Sequence, residues 1–390
     1  MRLVFFGLGI SGFCANAGFL ASSTFLALYA RKIGIGMGEI GLLMASYYLV
    51  STIMTLVFGR LSDVAGLKKV LILLGLVGSS GVYWLLGVSW SYLQLLVLWG
   101  FLLGVTDAAH RPASVAVIAE IAPRSVIGRS VGFYNAFMSA GMAFGSLIGG
   151  AVADLLGLQA VFRIASILLI VGGASSLVVA KLKDEDRRGA EIDSGKRIAR
   201  RLTMNFLLSS GILLLCVDVF LRNCGFRGVS SFLSIYLTQL GADNTLAGSI
   251  MSLNFFSQIF FMPLMGWISD KVGRKHILSA GMLATFLATF FLSIVHGPIE
   301  AIPIQVAIGF SWASITVASN TLAAETAPPE RLGAVMGMVL TSMSLGGVVG
   351  PAAAGLISEA FDLRTTFRVL ALFPLVSFIL SIKLGASEKR

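Results

Sequence analysis

Gly59-Arg60-Leu61-Ser62-Asp63-Val64-Ala65-Gly66-Leu67-Lys68-Lys69 lies between two long apolar stretches, and Gly266-Trp267-Ile268-Ser269-Asp270-Lys271-Val272-Gly273-Arg274-Lys275 lies between two more. The second segment follows the first at an offset of 207 residues and keeps Gly, Ser, Asp, Gly and Lys in register. A loop that only reverses the chain has no need of an aspartate and two glycines at matched positions.

The register extends outward from these loops. At the same offset Asn16, Gly18, Ser23, Phe25, Tyr29, Gly34 and Gly41 meet Asn223, Gly225, Ser230, Phe232, Tyr236, Gly241 and Gly248. At an offset of 205, Glu120, Pro123, Gly128, Gly141, Gly145 and Gly150 meet Glu325, Pro328, Gly333, Gly346, Gly350 and Gly355. Glycine matches arise easily in a chain with 44 glycines; the shared Asp, Glu, Pro, Tyr and Asn do not. The chain therefore reads as a tandem repeat, residues 1–180 and 204–390, joined by a polar linker at 181–203.

Composition says where the repeat lives. Of 390 residues, 56% are hydrophobic and 12% charged, against about 25% charged in a soluble domain. That leaves too little polar surface to wet a globule. Crossing ~30 Å of hydrocarbon takes about 20 apolar residues in a helix, and lipid tolerates no open backbone groups. Twelve such spans are expected, at 4–30, 38–58, 69–88, 92–119, 130–152, 160–180, 204–239, 244–265, 276–296, 299–323, 332–358 and 365–384. The fold class is thus an all-α membrane protein of two pseudo-symmetric six-helix bundles. Small residues suit close helix packing in such a bundle.

An even number of spans puts both termini on one side. With that side cytoplasmic, the inner loops and tails hold most of the 29 lysines and arginines, including Arg60, Lys68, Lys69, Arg124, Arg129, Lys271, Arg274, Lys275 and the run from Lys181 to Arg201. That bias sets orientation in the cytoplasmic membrane. It also accounts for the +10 net charge without nucleic acid. No cleavable leader is expected, because the first apolar stretch runs on to about Ala30 without a cleavage site. Cys14, Cys216 and Cys224 fall inside spans and form neither a metal pattern nor a disulfide framework. No metal and no cofactor are expected.

On these residues the sequence resembles the major facilitator superfamily over essentially its whole length. Both loops are similar to the family's Gly-x-x-x-Asp-(Arg/Lys)-x-Gly-(Arg/Lys)-(Arg/Lys) signature; the first departs where Val64 and Leu67 replace basic residues. The resemblance implies two halves in parallel with a substrate site between them, alternating access by rocking, and a central cavity lined by the first, fourth, seventh and tenth helices. Gly59, Asp63, Gly66 and Lys68, with Gly266, Asp270, Gly273 and Arg274, are read as gating residues. Each aspartate ends a helix on the cytoplasmic face, where the positive start of another helix is available to a carboxylate. The expected contacts are Asp63 with the eleventh helix and Asp270 with the start of the fifth, near Arg129 and Ser130. They would latch the cytoplasmic side shut. Gly141-Met142-Ala143-Phe144-Gly145-Ser146-Leu147-Ile148-Gly149-Gly150 is similar to the glycine motif of the family's exporters, with Ser146 in place of proline; the exporters' fourth-helix arginine is replaced by Gly100.

Ionisable residues inside a span mark a pathway or a site by default. The fourth span carries Asp107, His110 and Arg111, and the seventh carries Asp218, Arg222 and Arg227. The i, i+3 and i, i+4 spacings put each acid on the face of its arginine. The acids are therefore expected to pair within their own helices or across the halves. These six are the expected substrate and proton-coupling residues, and three arginines against two acids favour an anionic or zwitterionic substrate. An unperturbed imidazole titrates near pH 6.5, so His110 is a candidate to exchange protons in the working pH range. Asn16, Asn223, Tyr29, Tyr236 and Trp312 are further candidate substrate contacts, and Glu120 and Glu325 candidate gating ion pairs.

The expected function is secondary active transport of a small molecule, coupled to protons, by a monomer in the lipid bilayer. Drug or metabolite efflux by proton antiport is the alternative, and a non-transporting receptor on the same scaffold is a third. An enzyme is not expected, because His110, His276 and His296 are scattered and no nucleophile constellation or phosphate-gripping loop is visible.

Overall fold

A computed structural model describes residues 2–62, 67–121, 127–177, 211–328 and 331–384. Among them the chain forms twelve membrane-length helices and no strand. In the first half these are α1 Arg2–Lys32, α2 Met37–Ser62, α3 Leu67–Leu86, α4, α5 Ile127–Leu155 and α6 Leu158–Ser176. Helix α4 is built in three pieces, Tyr92–Leu95, a π-helical Leu96–Leu103, and Gly104–Ile121. The second half holds α7 Ile212–Gln239, α8 Asn244–Val272, α9 Arg274–Leu292, α10 Ala301–Thr326, α11 Leu332–Ala360 and α12 Leu363–Leu384. Eleven helices are long and apolar enough to cross a bilayer. The remaining one, α7, carries Asp218, Arg222 and Arg227 along its length. The protein is a multi-pass membrane protein, and large apolar side chains such as Leu74, Trp84, Phe260 and Leu356 lie exposed on its helices, as lipid contact requires.

Several helices outrun the apolar stretches that announce them. Helix α2 continues to Ser62 and α8 to Val272, so much of each signature loop is helical. In the second copy the break falls at Gly273, whose φ of +99° lies in the left-handed region. A side chain would be strained there, which gives that motif glycine a backbone reason. The Lys181–Arg201 linker, Asp63 and Gly66 lie outside the described residues.

The repeat reappears as packing. Helix α1 packs on α5 and α6, and α3 on α4 and α6; six helices later, α7 packs on α11 and α12, and α9 on α10 and α12. By contacts the chain divides into two units. One holds Met1–Ile35, Ser46–Ser194 and Ala242–Phe255, the other Gly36–Ala45, Gly195–Gly241 and Phe256–Arg390. The first turns of α8 therefore belong with α5, and the first turns of α2 with α11.

Candidate functional site

In the first unit the chemistry gathers on α4. Its π-helical turns end at Leu103, just before Asp107, His110 and Arg111. A π-helical insertion widens the helix and shifts the faces that follow it, and such insertions are frequent at functional sites. Asp107 and His110 are buried. The Tyr47 hydroxyl on α2 donates to Asp107 Oδ2 at 2.6 Å. Arg111 Nε lies 3.1 Å from the same oxygen and 3.3 Å from Oδ1. The carboxylate thus has a phenol and a guanidinium on it. Arg111 is partly exposed and rests on the Phe19 ring, 5.5 Å from its centroid. Phe19 in turn stacks with Trp99 and packs against Tyr47. His110 Nδ1 stands 3.9 Å from Asp107 Oδ1 and has no hydrogen-bond partner among the described residues. It is sealed by α3, where a Cβ at Gly75 would lie only 2.8 Å from the His110 Cβ.

The cluster on α7, in the second unit, is arranged differently. Asp218 and Arg222 are both wholly buried, yet they form no ion pair with each other. The Ser377 hydroxyl on α12 donates to Asp218 Oδ1 in a short bond, and Oδ2 has no partner among the described residues. Arg222 Nε donates to Thr285 Oγ1 on α9 at 3.2 Å. Thr285 and the α10 hydroxyl of Ser311 are themselves joined by a short bond, and Ser311 donates to the Gly281 carbonyl at 2.8 Å. Both terminal nitrogens of Arg222 are buried without a hydrogen-bond partner among the described residues. The guanidinium lies 4.5 Å from the Phe226 centroid and 5.0 Å from that of Trp312, and Arg227 shares the same two rings at 5.7 and 5.5 Å. Aromatic faces attract cations but take no N–H bonds in the ring plane. The result is a cation held by its Nε and by two rings, with its terminal nitrogens unused among the described residues.

The expected pairing within each helix therefore holds on α4 and fails on α7. The spacing is the same, and the difference comes from neighbouring helices. Ser377 draws Asp218 toward α12, while Thr285, Phe226 and Trp312 hold Arg222 elsewhere.

Of the softer candidates, only Trp312 joins a charge cluster. Asn16 and Asn223 are buried and donate back to their own helices, at the Gly12 and Val219 carbonyls, 2.8 and 2.9 Å away. The helix-to-helix bonding open to them is not what these amides make. Tyr29 donates to the Ser89 carbonyl and stands edge-on to Phe162; Tyr236 packs edge-on to Phe367. At the second signature loop, Arg274 bridges Asp270 at 2.8 Å and Glu325 at 3.0 Å. Asp270 is thus paired inside its own repeat, and Glu325 makes an ion pair as expected. The side chains of Glu120, Arg129 and Ser130, and so the Asp270 contact expected there, lie outside the described residues.

Reading the sequence did not find Tyr47, Phe19, Thr285, Ser311, Phe226 or Ser377. Phe226 was within reach, one turn beyond Arg222; the hydroxyls stand among many others in apolar spans.

The Major Facilitator Superfamily family model matches residues 8–221 and again 215–389. An uncharacterized MFS-type transporter of Methanocaldococcus jannaschii is 26% identical, the match covering 94% of this chain and 93% of the other. A multi-drug resistance efflux pump PmrA homolog of Lactococcus lactis is 24% identical over 95% of this chain and 92% of its own. Among solved structures, that of the nucleoside transporter NupG shares the fold, with a TM-score of 0.82 at 12% identity, covering 98% of this chain and 99% of the other.

Proposed function

We propose, from the premise that the chain belongs to the Major Facilitator Superfamily and is one of its transporters, not an enzyme, that it moves a small organic anion or zwitterion. Transport would run by alternating access, coupled to protons, across the cytoplasmic membrane with both termini inside. The observation that carries this reading is Arg222, whose terminal nitrogens are buried and have no hydrogen-bond partner among the described residues. Burying a cation without an anion is costly, and a carboxylate or phosphate oxygen from a substrate supplies what the fold leaves out. Arg227, stacked on the same rings, adds a second positive charge. The substrate anion and the guanidinium would meet away from bulk water, where a charge-assisted hydrogen bond is strong.

The two aspartates divide the remaining work. Asp107 is held by Arg111 and Tyr47 and acts as a fixed charge. Asp218 has a serine and, among the described residues, no cation to fix its charge; it is assigned the coupled proton.

Efflux of drug-like compounds by proton antiport is the second reading. It is favoured by the relative named as a multi-drug resistance efflux pump, whose match runs nearly end to end, and by the exporter-like glycine run in α5. Counterflow in proteoliposomes separates the two, using small carboxylates, amino acids and lipophilic cations with and without a pH gradient. The first reading predicts exchange of at least one anionic or zwitterionic compound. Exchange confined to lipophilic cations establishes the second.

A further inference from the structure

A contact at the C-terminal end of α5 involves the residues of neither charge cluster. Asp154 stands at the end of α5, and its carboxylate receives hydrogen bonds from the first two residues of α8. Asn244 donates to Oδ1 through its backbone N–H at 3.2 Å and its side-chain amide at 2.7 Å. Thr245 donates to Oδ2 through its N–H at 2.7 Å and its hydroxyl at 2.6 Å. The first four N–H groups of a helix have no partner within it. Here the next two go to Asp243, Leu246 N–H to the side chain at 2.7 Å and Ala247 N–H to the carbonyl at 3.0 Å. Half of the start of α8 is thus capped from another helix, and a carboxylate there also meets the positive end of the helix dipole.

The seat for this contact is built into α5. One turn before Asp154, a Cβ at Gly150 would collide with the Asn244 carbonyl and stand 3.0 Å from the Thr245 Cα. One turn earlier still, Ser146 donates to the Gly248 carbonyl at 3.0 Å. The offset of 205 residues carries Ser146, Gly150 and Asp154 onto Pro351, Gly355 and Glu359 of α11. The second copy faces the start of α2 in the same way. A Cβ at Gly355 would lie 2.7 Å from the Met37 carbonyl oxygen, and one at Gly38 would collide with the Glu359 carboxylate. The two copies are unequal: no hydrogen bond joins Glu359 to α2 among the described residues.

We propose that Asp154 is a gating residue of the transport cycle, a carboxylate latch on the start of α8 that must let go each time this face opens, with Glu359 as its weaker repeat. The proposal rests on the alternating-access reading and on no choice of substrate. It assigns the carboxylate a different side of the membrane from Asp63 and Asp270.

The test uses a variant lacking Cys14, Cys216 and Cys224, with Ala247→Cys as reporter, because Ala247 is fully buried beside the latch. Maleimide labelling of the purified protein should speed up roughly tenfold in Asp154→Asn, the loss expected for one strong cap, and less in Glu359→Gln. Asp154→Glu, which restores the charge on a longer arm, should recover part of the protection, as simple loss of packing would not. If Asp154→Asn does not fold, Thr245→Val removes a single bond and reads the same reporter. Unchanged labelling in a folded Asp154→Asn or Thr245→Val overturns the latch. Exchange transport by the unmutated protein, measured alongside, keeps that failure apart from failure of the transport reading.

Discussion

Asp107 and Arg111 on α4, and Asp218 and Arg222 on α7, have one spacing and one order, yet only the first pair closes. Around Asp107 the partners come from its own helix and from Tyr47. Around Asp218 and Arg222, three other helices supply Ser377, Thr285 and Trp312, which separate the acid from the base and leave both with atoms unpartnered among the described residues. An i, i+4 pair is worth only about 0.2–0.5 kcal/mol on an isolated helix, so a single competing hydroxyl or a pair of aromatic faces overrides it. A satisfied pair holds a structure in place. An unsatisfied one keeps binding capacity, which is why function is assigned to α7.

That contrast can be broken by neutralising each acid. Asp218→Asn is expected to abolish accumulation driven by a pH gradient while leaving exchange and folding intact; gradient-driven accumulation in liposomes measures it, and full coupling in the variant would remove Asp218 as proton carrier. Asp107→Asn is expected to act on stability instead. Leaving Arg111 without its carboxylate should cost about 1–3 kcal/mol, toward the low side of what a broken buried pair costs because Arg111 is partly exposed. Adding Arg111→Gln should return part of the loss, and a double-mutant cycle on detergent unfolding should give a coupling of about 0.5–3 kcal/mol. The same cycle on Asp218 and Arg222 should give a coupling near zero.

The smallest effect sits outside the bilayer and calibrates the others. Asp362, before α12, accepts from the Thr365 N–H at 2.7 Å. Hydrogen bonds from the Thr365 side chain and backbone hold its carboxyl below the usual carboxylate range. A carboxyl lowered on folding stabilises the folded state above its unfolded pKa and loses that contribution as pH falls through the folded one. Asp362→Asn should therefore lower stability slightly at neutral pH and flatten the unfolding profile on the acid side, with transport unchanged.

The sequence is a good guide wherever the backbone itself sets the residue. Twelve spans follow from hydrocarbon thickness, and matched glycines mark places where helices touch or turn, as Gly150, Gly355 and Gly273 do. The six embedded charges stand out because lipid makes them conspicuous. What a linear reading does not supply is the choice of partner. Whether Arg222 reaches Asp218 or Thr285 depends on which hydroxyl the packing brings beside it. The π-helical turns of α4 carry no periodic signal in Leu96–Leu103, which is apolar throughout. Asp154 and Glu359 were within reach of the repeat alignment, but an aspartate facing a glutamate is not an identity, and only identical residues were matched.

The central claim is that Arg222 waits for a substrate anion and does not hold the fold. It is tested most directly by Arg222→Gln, with unfolding temperature and counterflow of an anionic or zwitterionic substrate measured on one preparation. Removing a buried cation that meets no anion among the described residues should leave the unfolding temperature unchanged or raise it, while counterflow is lost. A variant that still exchanges the substrate at the unmutated rate, or one that loses exchange only because it no longer folds, would contradict the account.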